Sequence, residues 1–367
     1  MIATPRTAAE LAAQLGAANA QRQTITLSGN STKILMAGPI RPADVTLTTT
    51  CLNHVLEYDP RDLTISVEAG ISYRELSRVL AEHRQMIPLD PPFSDRATIG
   101  GVVAANMSGP RRRLYGSVRD MVIGMTFATL EGKLVRSGGL VVKNVAGLDM
   151  AKLMIGSFGT LAAIAIVNFR VHPMPEQTRT FIRPCGSVDE VIAARNQVLR
   201  SQLQPAAIDI VKLDTGYQLL VQAVGSPRVL DRYSRELAAA EALEASEEES
   251  LWAGIREFTP RFLGEHENAA VLRVSCSLSE VGGVLESLPS PALARAGTGV
   301  CYGYFAQAGD LRYPPAGKSV IEFAPQTYRE SQELWPQPGS DFAMMKKIKE
   351  MFDPHSLLNR GRLYGRI

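Results

Sequence analysis

The stretch Thr98-Ile99-Gly100-Gly101-Val102-Val103-Ala104-Ala105-Asn106-Met107-Ser108-Gly109-Pro110 decides the reading of this chain, together with Pro88-Leu89-Asp90-Pro91-Pro92 just before it. Adjacent glycines flanked by threonine and small residues let a backbone approach a large flat ligand closely and leave N–H groups free to bond it. Arg111, Arg112 and Arg113 follow at once, with Tyr115-Gly116-Ser117-Val118-Arg119-Asp120 behind them. A Gly-rich bend with a solvated basic run explains each piece singly. It does not explain them together.

Two further segments share this character. Ser28-Gly29-Asn30-Ser31-Thr32-Lys33 follows the strand-like Ile25-Thr26-Leu27 and offers N–H groups, hydroxyls and an ammonium. Oriented backbone amides of this kind bind phosphate without a helix, although the segment reads equally well as a polar β-turn. Downstream, Lys143-Asn144-Val145-Ala146-Gly147-Leu148-Asp149 leads into Lys152 and then Gly156-Ser157-Phe158-Gly159-Thr160-Leu161. Here Gly147 and Gly159 are expected at turns of positive φ, presenting backbone groups toward the same cavity.

Composition sets the frame. The 367 residues fit two domains and tolerate three, and 45% hydrophobic against 21% charged residues supports a sizeable core rather than disorder. A net charge of +2 lacks the one-sided field of a nucleic-acid protein, so no nucleic-acid partner is expected and anion binding must be local. The longest apolar run, Leu161 to Val167, falls far short of the about 20 residues that span a bilayer. No signal peptide is read at the N-terminus, so a cytoplasmic protein is expected, touching a membrane only indirectly. Cys51, Cys185, Cys276 and Cys301 lie 25 or more residues apart, giving neither a C-x-x-C pair nor a disulfide framework, and read as small core residues. No metal site is expected.

Local patterns predict an α+β fold. Helices are expected over about 4–18, with Thr4 as cap, and 73–83, with Ser72 as cap and Leu76, Val79 and Leu80 on one face. Strands are expected at 23–27, 45–49 and 64–68, a hairpin at 122–137, a short helix from Met150 to Ile155 capped by Asp149, and a doubly buried strand at 161–171. His172-Pro173-Met174-Pro175 breaks the pattern. Beyond it, strands at 178–183, 208–213, 218–224, 270–276 and 299–305 alternate with helices at 187–201, 228–245 and 279–288, a sheet covered by helices on one side. The acidic run Glu241 to Glu249 reads as a solvated face, 307–340 as proline-rich loop, and Phe342 to Phe352 as a basic amphipathic helix.

Two nucleotide signatures are set aside. No G-x-G-x-x-G follows a strand, and Gly317-Lys318-Ser319 lacks the first Walker glycine, which is Arg312, while Pro314 and Pro315 remove N–H donors.

The order P-L-D-P-P, T-I-G-G, S-G-P-R, Y-G-S-x-R-D, K-N-V-A-G-x-D and G-S-x-G-T-L resembles the FAD-binding domain of the vanillyl-alcohol oxidase or p-cresol methylhydroxylase (PCMH) type. More narrowly it resembles the FAD-binding E subunits of bacterial glycolate oxidases, and Phe352 to Tyr364 is similar to the F-D-P-x-x-x-L-N-P-G-R-L ending of that group. The resemblance implies a PCMH-type FAD-binding domain of two subdomains over 1–173, an α+β cap domain over 174–340, and a C-terminal helix and tail over 341–367 returning to the FAD domain. It implies that Ser28, Gly29, Asn30, Ser31 and Thr32 hold the pyrophosphate, and that Thr98, Gly100, Gly101, Asn106 and Gly109 line the flavin's path. Gly116, Gly159, Thr160 and Ile164 would contact the isoalloxazine or adenosine, with Pro91, Asn359 and Arg362 completing the cofactor set. Three positions depart from the pattern: Leu27-Ser28-Gly29-Asn30 stands where relatives carry Arg-Gly-Gly-Gly, Phe158 where many have Glu, and Arg360 in place of a proline. The first histidine is His54, so a histidyl link to flavin from the pyrophosphate loop is impossible and FAD is expected to be non-covalent.

Oxidising a 2-hydroxy acid needs a hydride acceptor, a base and a cation for the carboxylate. Relatives carry an H-x-x-D/G-G-N-x-H metal-binding stretch, whereas His54, His83, His172, His266 and His355 are scattered. Arg113, Tyr302, Tyr304 and Arg312 are the candidates for a substituted role, and no base is assigned. The resemblance therefore implies an FAD-bearing subunit of a glycolate (2-hydroxy acid) oxidase, working beside a catalytic flavoprotein subunit and an iron–sulfur subunit. The alternatives are a free-standing FAD-dependent 2-hydroxy acid dehydrogenase and a non-catalytic interaction subunit without flavin.

Overall fold

The computed structural model describes residues 1–140 and 148–367. Lys143 to Gly147, part of the third glycine segment, therefore lie outside the described residues. Two compact units emerge: Met1–Ser108, Ser117–Met174 and Gln337–Ile367 form the first, Gly109–Gly116 and Pro175–Pro336 the second. The short basic segment Gly109–Gly116 thus belongs with the second unit.

The first unit holds a parallel three-stranded sheet, ordered Ile2–Ala3, Val45–Thr48, Ile25–Ser28, and an antiparallel five-stranded sheet, ordered Val55–Asp59, Thr64–Glu68, Ala163–Arg170, Val122–Ala128, Leu134–Gly138. Leu11, Leu15, Leu47, Leu52, Ala165 and Leu358 share one buried core, so the C-terminal tail packs with the first strands. The N-terminal helix runs Ala8–Ala20 rather than from Thr4. Thr7 caps it, its Oγ1 accepting from Glu10 N at 3.1 Å while Glu10 Oε2 accepts from Arg6 N at 2.8 Å, a reciprocal arrangement that outcompetes a start at Pro5. Ser72 caps Tyr73–Ala81 as expected. The short helix near 150 is Ala151–Met154, with Met150 rather than Asp149 at its cap position.

The tail is fixed by a buried ion pair. On the helix Phe342–Phe352, Lys349 Nζ donates to Asp353 Oδ2 at 2.5 Å, to Thr160 O at 2.7 Å and to Leu358 O at 3.1 Å. Asp353 in turn accepts from Leu357 N and Leu358 N, both at 2.8 Å. Every polar atom of the pair is therefore engaged, which a buried charge requires. Burial holds the Lys349 ammonium below its ordinary pKa, with Asp353 opposing the shift.

The second unit is an eight-stranded antiparallel sheet, ordered Glu241–Leu243, Gln177–Cys185, Gly216–Gly225, Ala207–Leu213, Ala292–Arg295, Val300–Phe305, Ala270–Ser275, Lys318–Phe323. Helices Val188–Arg200, Pro227–Glu236 and Val281–Ser287 bury one face through Val191, Val198, Leu230, Val284 and Leu285. The expected one-sided cover is incomplete, because Ala245–Arg256 and Phe258–Glu265 meet the other face through Trp252 Nε1, donating to Thr180 Oγ1 at 2.7 Å, and through Thr259 and Tyr304, whose hydroxyls lie 3.0 Å apart. The acidic run is also not wholly solvated. Glu248 is buried and accepts from Thr178 Oγ1, Thr180 Oγ1 and Gln222 Nε2, pinning its helix to the sheet, while Glu247 and Glu249 are exposed. Within the expected loop 307–340, Lys318–Phe323 closes the sheet edge against Ala270–Ser275.

The arginine run has a structural use. Arg113 Nη1 donates to Pro205 O at 2.7 Å, and a Cβ on Gly297 would come within 2.5 Å of Arg113 Cδ, so glycine is needed where the side chain passes. Among the described residues no helix is long and apolar enough to cross a membrane.

Candidate cofactor site

Strand Ile25–Ser28 delivers the chain into the loop Gly29–Lys33, where Ser31 adopts φ 53°, a left-handed turn that bends successive amides inward. Among the described residues the backbone N–H groups of Gly29, Asn30, Ser31 and Thr32 donate to no protein acceptor, whereas the Asn30 side chain is tied to Arg96 O at 2.8 Å. Unspent amides at the end of a strand are a donor set that fits a diphosphate.

The loop lies on the glycine helix Ile99–Ala104. Thr98 caps that helix, its Oγ1 3.4 Å from Gly101 N. A Cβ on Gly29 would stand 2.2 Å from the same Oγ1 and 2.9 Å from Thr98 Cγ2, so only glycine permits the approach. The paired glycines have different tasks. Gly100 donates to Ala69 O at 2.7 Å, and a Cβ there would meet Ala69 Cβ at 2.9 Å, whereas Gly101 lines the cavity with Ala104 and Ala105, where a Cβ would stand 3.1 Å from Thr98 Oγ1.

The third wall is the turn at Phe158 and Gly159, both left-handed with φ 52° and 69°. Phe158 N donates to Ala104 O at 2.9 Å, joining this turn to the glycine helix. Asn359 braces it from the tail. Its Oδ1 accepts from Leu27 N at 2.7 Å and its Nδ2 donates to Phe158 O at 2.7 Å. Arg362 donates to Gly38 O at 2.6 Å and to Lys33 O at 3.3 Å, with its guanidinium 5.7 Å from the Phe158 ring centroid.

These walls enclose a cavity of about 310 Å³ lined by Ser28–Ile34, Thr98, Gly101, Ala104, Ala105, Phe158, Asn359, Arg360 and Arg362. A neighbouring cavity of about 80 Å³ shares Ser28, Gly29, Gly101 and Phe158 and adds Gly100, Gly159, Ala163 and Ile164. Mostly apolar space lined on one side by the free amides of Gly29–Thr32 suits a nucleotide cofactor with a flat aromatic part.

Of the residues expected from the sequence, Ser28, Gly29, Asn30, Ser31, Thr32, Thr98, Gly100, Gly101, Gly159, Ile164, Asn359 and Arg362 line these two cavities. Pro91, Asn106 and Thr160 do not. Thr160 is fully buried, with Oγ1 donating to Ser157 O at 2.8 Å and its carbonyl taken by Lys349. Gly109 and Gly116 fall in the second unit. Lys33, whose ammonium the sequence already placed in the anion-binding segment, lines the cavity too; Ala104, Ala105 and Arg360 were not in the expected cofactor set, and the two alanines follow T-I-G-G on the same helix, so extending that motif by a turn would have found them.

The second unit carries a separate polar cluster on the sheet face opposite its main core. Arg295 is paired with Asp209 and lies 5.9 Å from the Tyr302 ring, and Arg273 Nε is 3.4 Å from Glu322 Oε1. Burial pushes Tyr302 up to about 12, so its hydroxyl is a hydrogen-bond donor at neutral pH and not a base. Burial also raises Glu322, against the pull of Arg273 and Arg295. Tyr304 is occupied by Thr259 and by the rings of Phe258 and Phe262. Arg113 is spent on Pro205, and Arg312 donates to the adjacent Leu311 O at 3.0 Å.

Residues 1–138 match the family model of the FAD binding domain, and 336–363 match that of the FAD linked oxidases, C-terminal domain. The cofactor is FAD. The FAD-domain match covers the Ser28–Lys33 loop and the glycine helix, and the second match covers Lys349 and Asp353, which fix the tail, and Asn359 and Arg362, which line the cavity. The chain is 35% identical to glycolate oxidase subunit GlcE of Escherichia coli over 196 residues, 53% of this chain and 54% of that protein. It is 22% identical to glycolate oxidase subunit GlcD of Bacillus subtilis over 100% of this chain and 89% of that one, and 30% identical to the D-lactate dehydrogenase of Anaerostipes hadrus over 55% and 42%. The alignment thus spans about half the length of GlcE and less than half of that dehydrogenase. Oxidation of a 2-hydroxy acid, glycolate or lactate, is the chemistry these relatives' names share. The fold is that of a solved alkyldihydroxyacetonephosphate synthase, with a TM-score of 0.73 at 19% identity over 98% of this chain and 75% of that one.

Proposed function

We propose that this chain is the FAD-bearing subunit of a 2-hydroxy acid oxidase, with glycolate the first acid to test, operating beside a catalytic flavoprotein subunit and an iron–sulfur subunit. The cradle of unspent amides at Gly29–Thr32 carries the reading. Those amides would hold the pyrophosphate, Gly101, Ala104 and Ala105 the path of the cofactor along the glycine helix, and Gly159 and Ile164 its far end. When bound, FAD accepts and passes on electrons. The protein's own residues position it: Thr98 fixes the height of the loop, and Asn359 holds the Leu27 and Phe158 flanks at a constant separation. The 1–173, 174–340 and 341–367 division implied by the resemblance belongs to this proposal, as does a cytoplasmic location reaching the inner face of the membrane only through the complex.

A partner is invoked because the histidine motif that relatives use beside the hydroxyl acid is absent from the sequence, and because Tyr302, protonated at neutral pH, cannot take the hydroxyl proton. A free-standing dehydrogenase is the second reading, favoured by the gathering of Arg273, Arg295 and Tyr302 on one sheet face, where guanidinium groups suit a carboxylate. Anaerobic addition of glycolate separates the two. The complex reading expects the flavin band of the isolated chain to stay unchanged and to bleach once the partner subunits are co-purified; bleaching of the isolated chain overturns it in favour of the second.

A further inference from the structure

Strand Ala270–Ser275 pairs antiparallel with Val300–Phe305, placing Val274 opposite Cys301. The ladder continues one residue further, because Cys276 N donates to Gly299 O at 2.8 Å. Since side chains alternate along a strand, Cys276 shares the face of Val274 and Cys301 and sits diagonally across from the latter. The two cysteines, distant in sequence, are thereby neighbours on one face of the sheet. Their surroundings differ. Cys301 is fully buried in the helix-covered core, whereas Cys276 is half-buried at its rim and runs directly into the exposed segment Ser277-Leu278-Ser279-Glu280.

From the helix Val188–Arg200, buried Arg195 lies close enough for its guanidinium to act on both sulfurs. It is held there by donation to Leu278 O at 2.8 Å and to Asn196 Oδ1 at 2.7 Å. The contact with Cys301 and the charge of Arg195 favour the Cys276 thiolate, against burial and the nearby Glu280 carboxylate, while the buried Cys301 thiol is held protonated. A rim thiol whose ionisation is favoured, with a second cysteine diagonal to it on the ladder and a fixed cation nearby, is the arrangement of a reactive and a resolving cysteine.

We propose that Cys276 and Cys301 form a peroxide-reactive dithiol, Cys276 attacking and Cys301 resolving, that closes to a disulfide across the two strands. The Cys276 sulfur attacks one oxygen of hydrogen peroxide, the O–O bond breaks, a sulfenic acid forms and hydroxide leaves to become water. The Cys301 sulfur then attacks the Cys276 sulfur, the S–O bond breaks, the S–S bond forms, and the departing hydroxide takes the Cys301 proton as a second water. Two thiols lose two electrons and one peroxide gains them. Nothing in this step depends on the flavin or on the acid substrate.

The test treats the full chain with hydrogen peroxide, blocks remaining thiols by alkylation and maps the unreduced digest by mass spectrometry. A Cys276–Cys301 linked peptide, reversed by dithiothreitol, is expected, with Cys276 consumed at least about tenfold faster than Cys51. In Cys301→Ser the sulfenic acid should persist on Cys276 and be trapped by dimedone. Cys276→Ser, a change at the rim that leaves the core intact, should leave Cys301 unmodified at the same dose. Loss of Cys276 at the rate of Cys51 with no linked peptide, or oxidation of Cys301 undiminished in Cys276→Ser, overturns the proposal.

Discussion

Gly29→Ala is expected to weaken FAD binding by about tenfold to a hundredfold while leaving the rest of the first unit folded. The added methyl would stand 2.2 Å from Thr98 Oγ1 and 2.9 Å from its Cγ2, distances no real Cβ tolerates, so either the loop or the glycine helix must move. Overpacking of this kind costs about 1–3 kcal/mol, and a factor of ten in affinity corresponds to about 1.4 kcal/mol. The loop is the softer partner, because the amides of Gly29 to Thr32 make no protein hydrogen bonds that would resist displacement. Those are also the amides proposed to hold the pyrophosphate, so the strain would be relieved at the expense of the ligand. Titration of FAD into the apoprotein, followed by quenching of flavin fluorescence, reads the effect. Thr98→Ala in the same chain should return part of the affinity by removing the clashing atoms, less the roughly 0.5–2 kcal/mol that a lost N-cap costs the glycine helix. If Gly29→Ala binds FAD as the parent does, the cofactor does not use this loop.

Asp353→Ala should be the most destabilising single change in the tail, by about 3–5 kcal/mol, because it leaves the Lys349 ammonium buried without its counter-charge. Two backbone donors, Leu357 N and Leu358 N, lose their acceptor at the same time. The consequence reaches the cofactor. Leu357 O accepts from Ile25 N at 2.8 Å and Asn359 N donates to Ile25 O at 2.9 Å, so a loosened tail frees the strand that leads into the pyrophosphate loop. Flavin content should fall together with the urea midpoint. Asp353→Asn, which keeps one acceptor oxygen, should lose less, and Lys349→Met combined with Asp353→Leu should recover much of the stability by removing both charges. Equal stability of Asp353→Ala and the parent would show the ion pair to be dispensable.

The legibility of this chain follows the range of the interactions involved. Glycine motifs were readable because the residue type itself announces close backbone approach or positive φ, whatever distant partner it meets: here Gly29 meets Thr98, Gly100 meets Ala69, and Gly159 lies at positive φ beside Asn359. Capping by Ser72 was local. Burial of charge was not. Glu248 sits in a run of exposed glutamates, and only the distant strand Gln177–Cys185, which supplies Thr178 and Thr180, makes it a core residue. Lys349 and Asp353 share a helix-like spacing that any surface pair would have, and nothing in that spacing announces the carbonyls of Thr160 and Leu358. Lys318–Phe323 was hidden for a similar reason, since prolines at 314 and 315 mark a loop while the pairing partner lies more than forty residues earlier. The same holds for the dithiol: Cys276 and Cys301 look isolated in sequence, and only the ladder brings them together.

The account stands most directly on whether the purified chain carries FAD in a dissociable form. The measurement is its visible absorption spectrum after saturation with FAD and removal of excess, followed by precipitation of the protein with acid. A flavin spectrum near one FAD per chain, released wholly into the supernatant, is the predicted result. No flavin uptake, or flavin that stays with the precipitated protein, would contradict it.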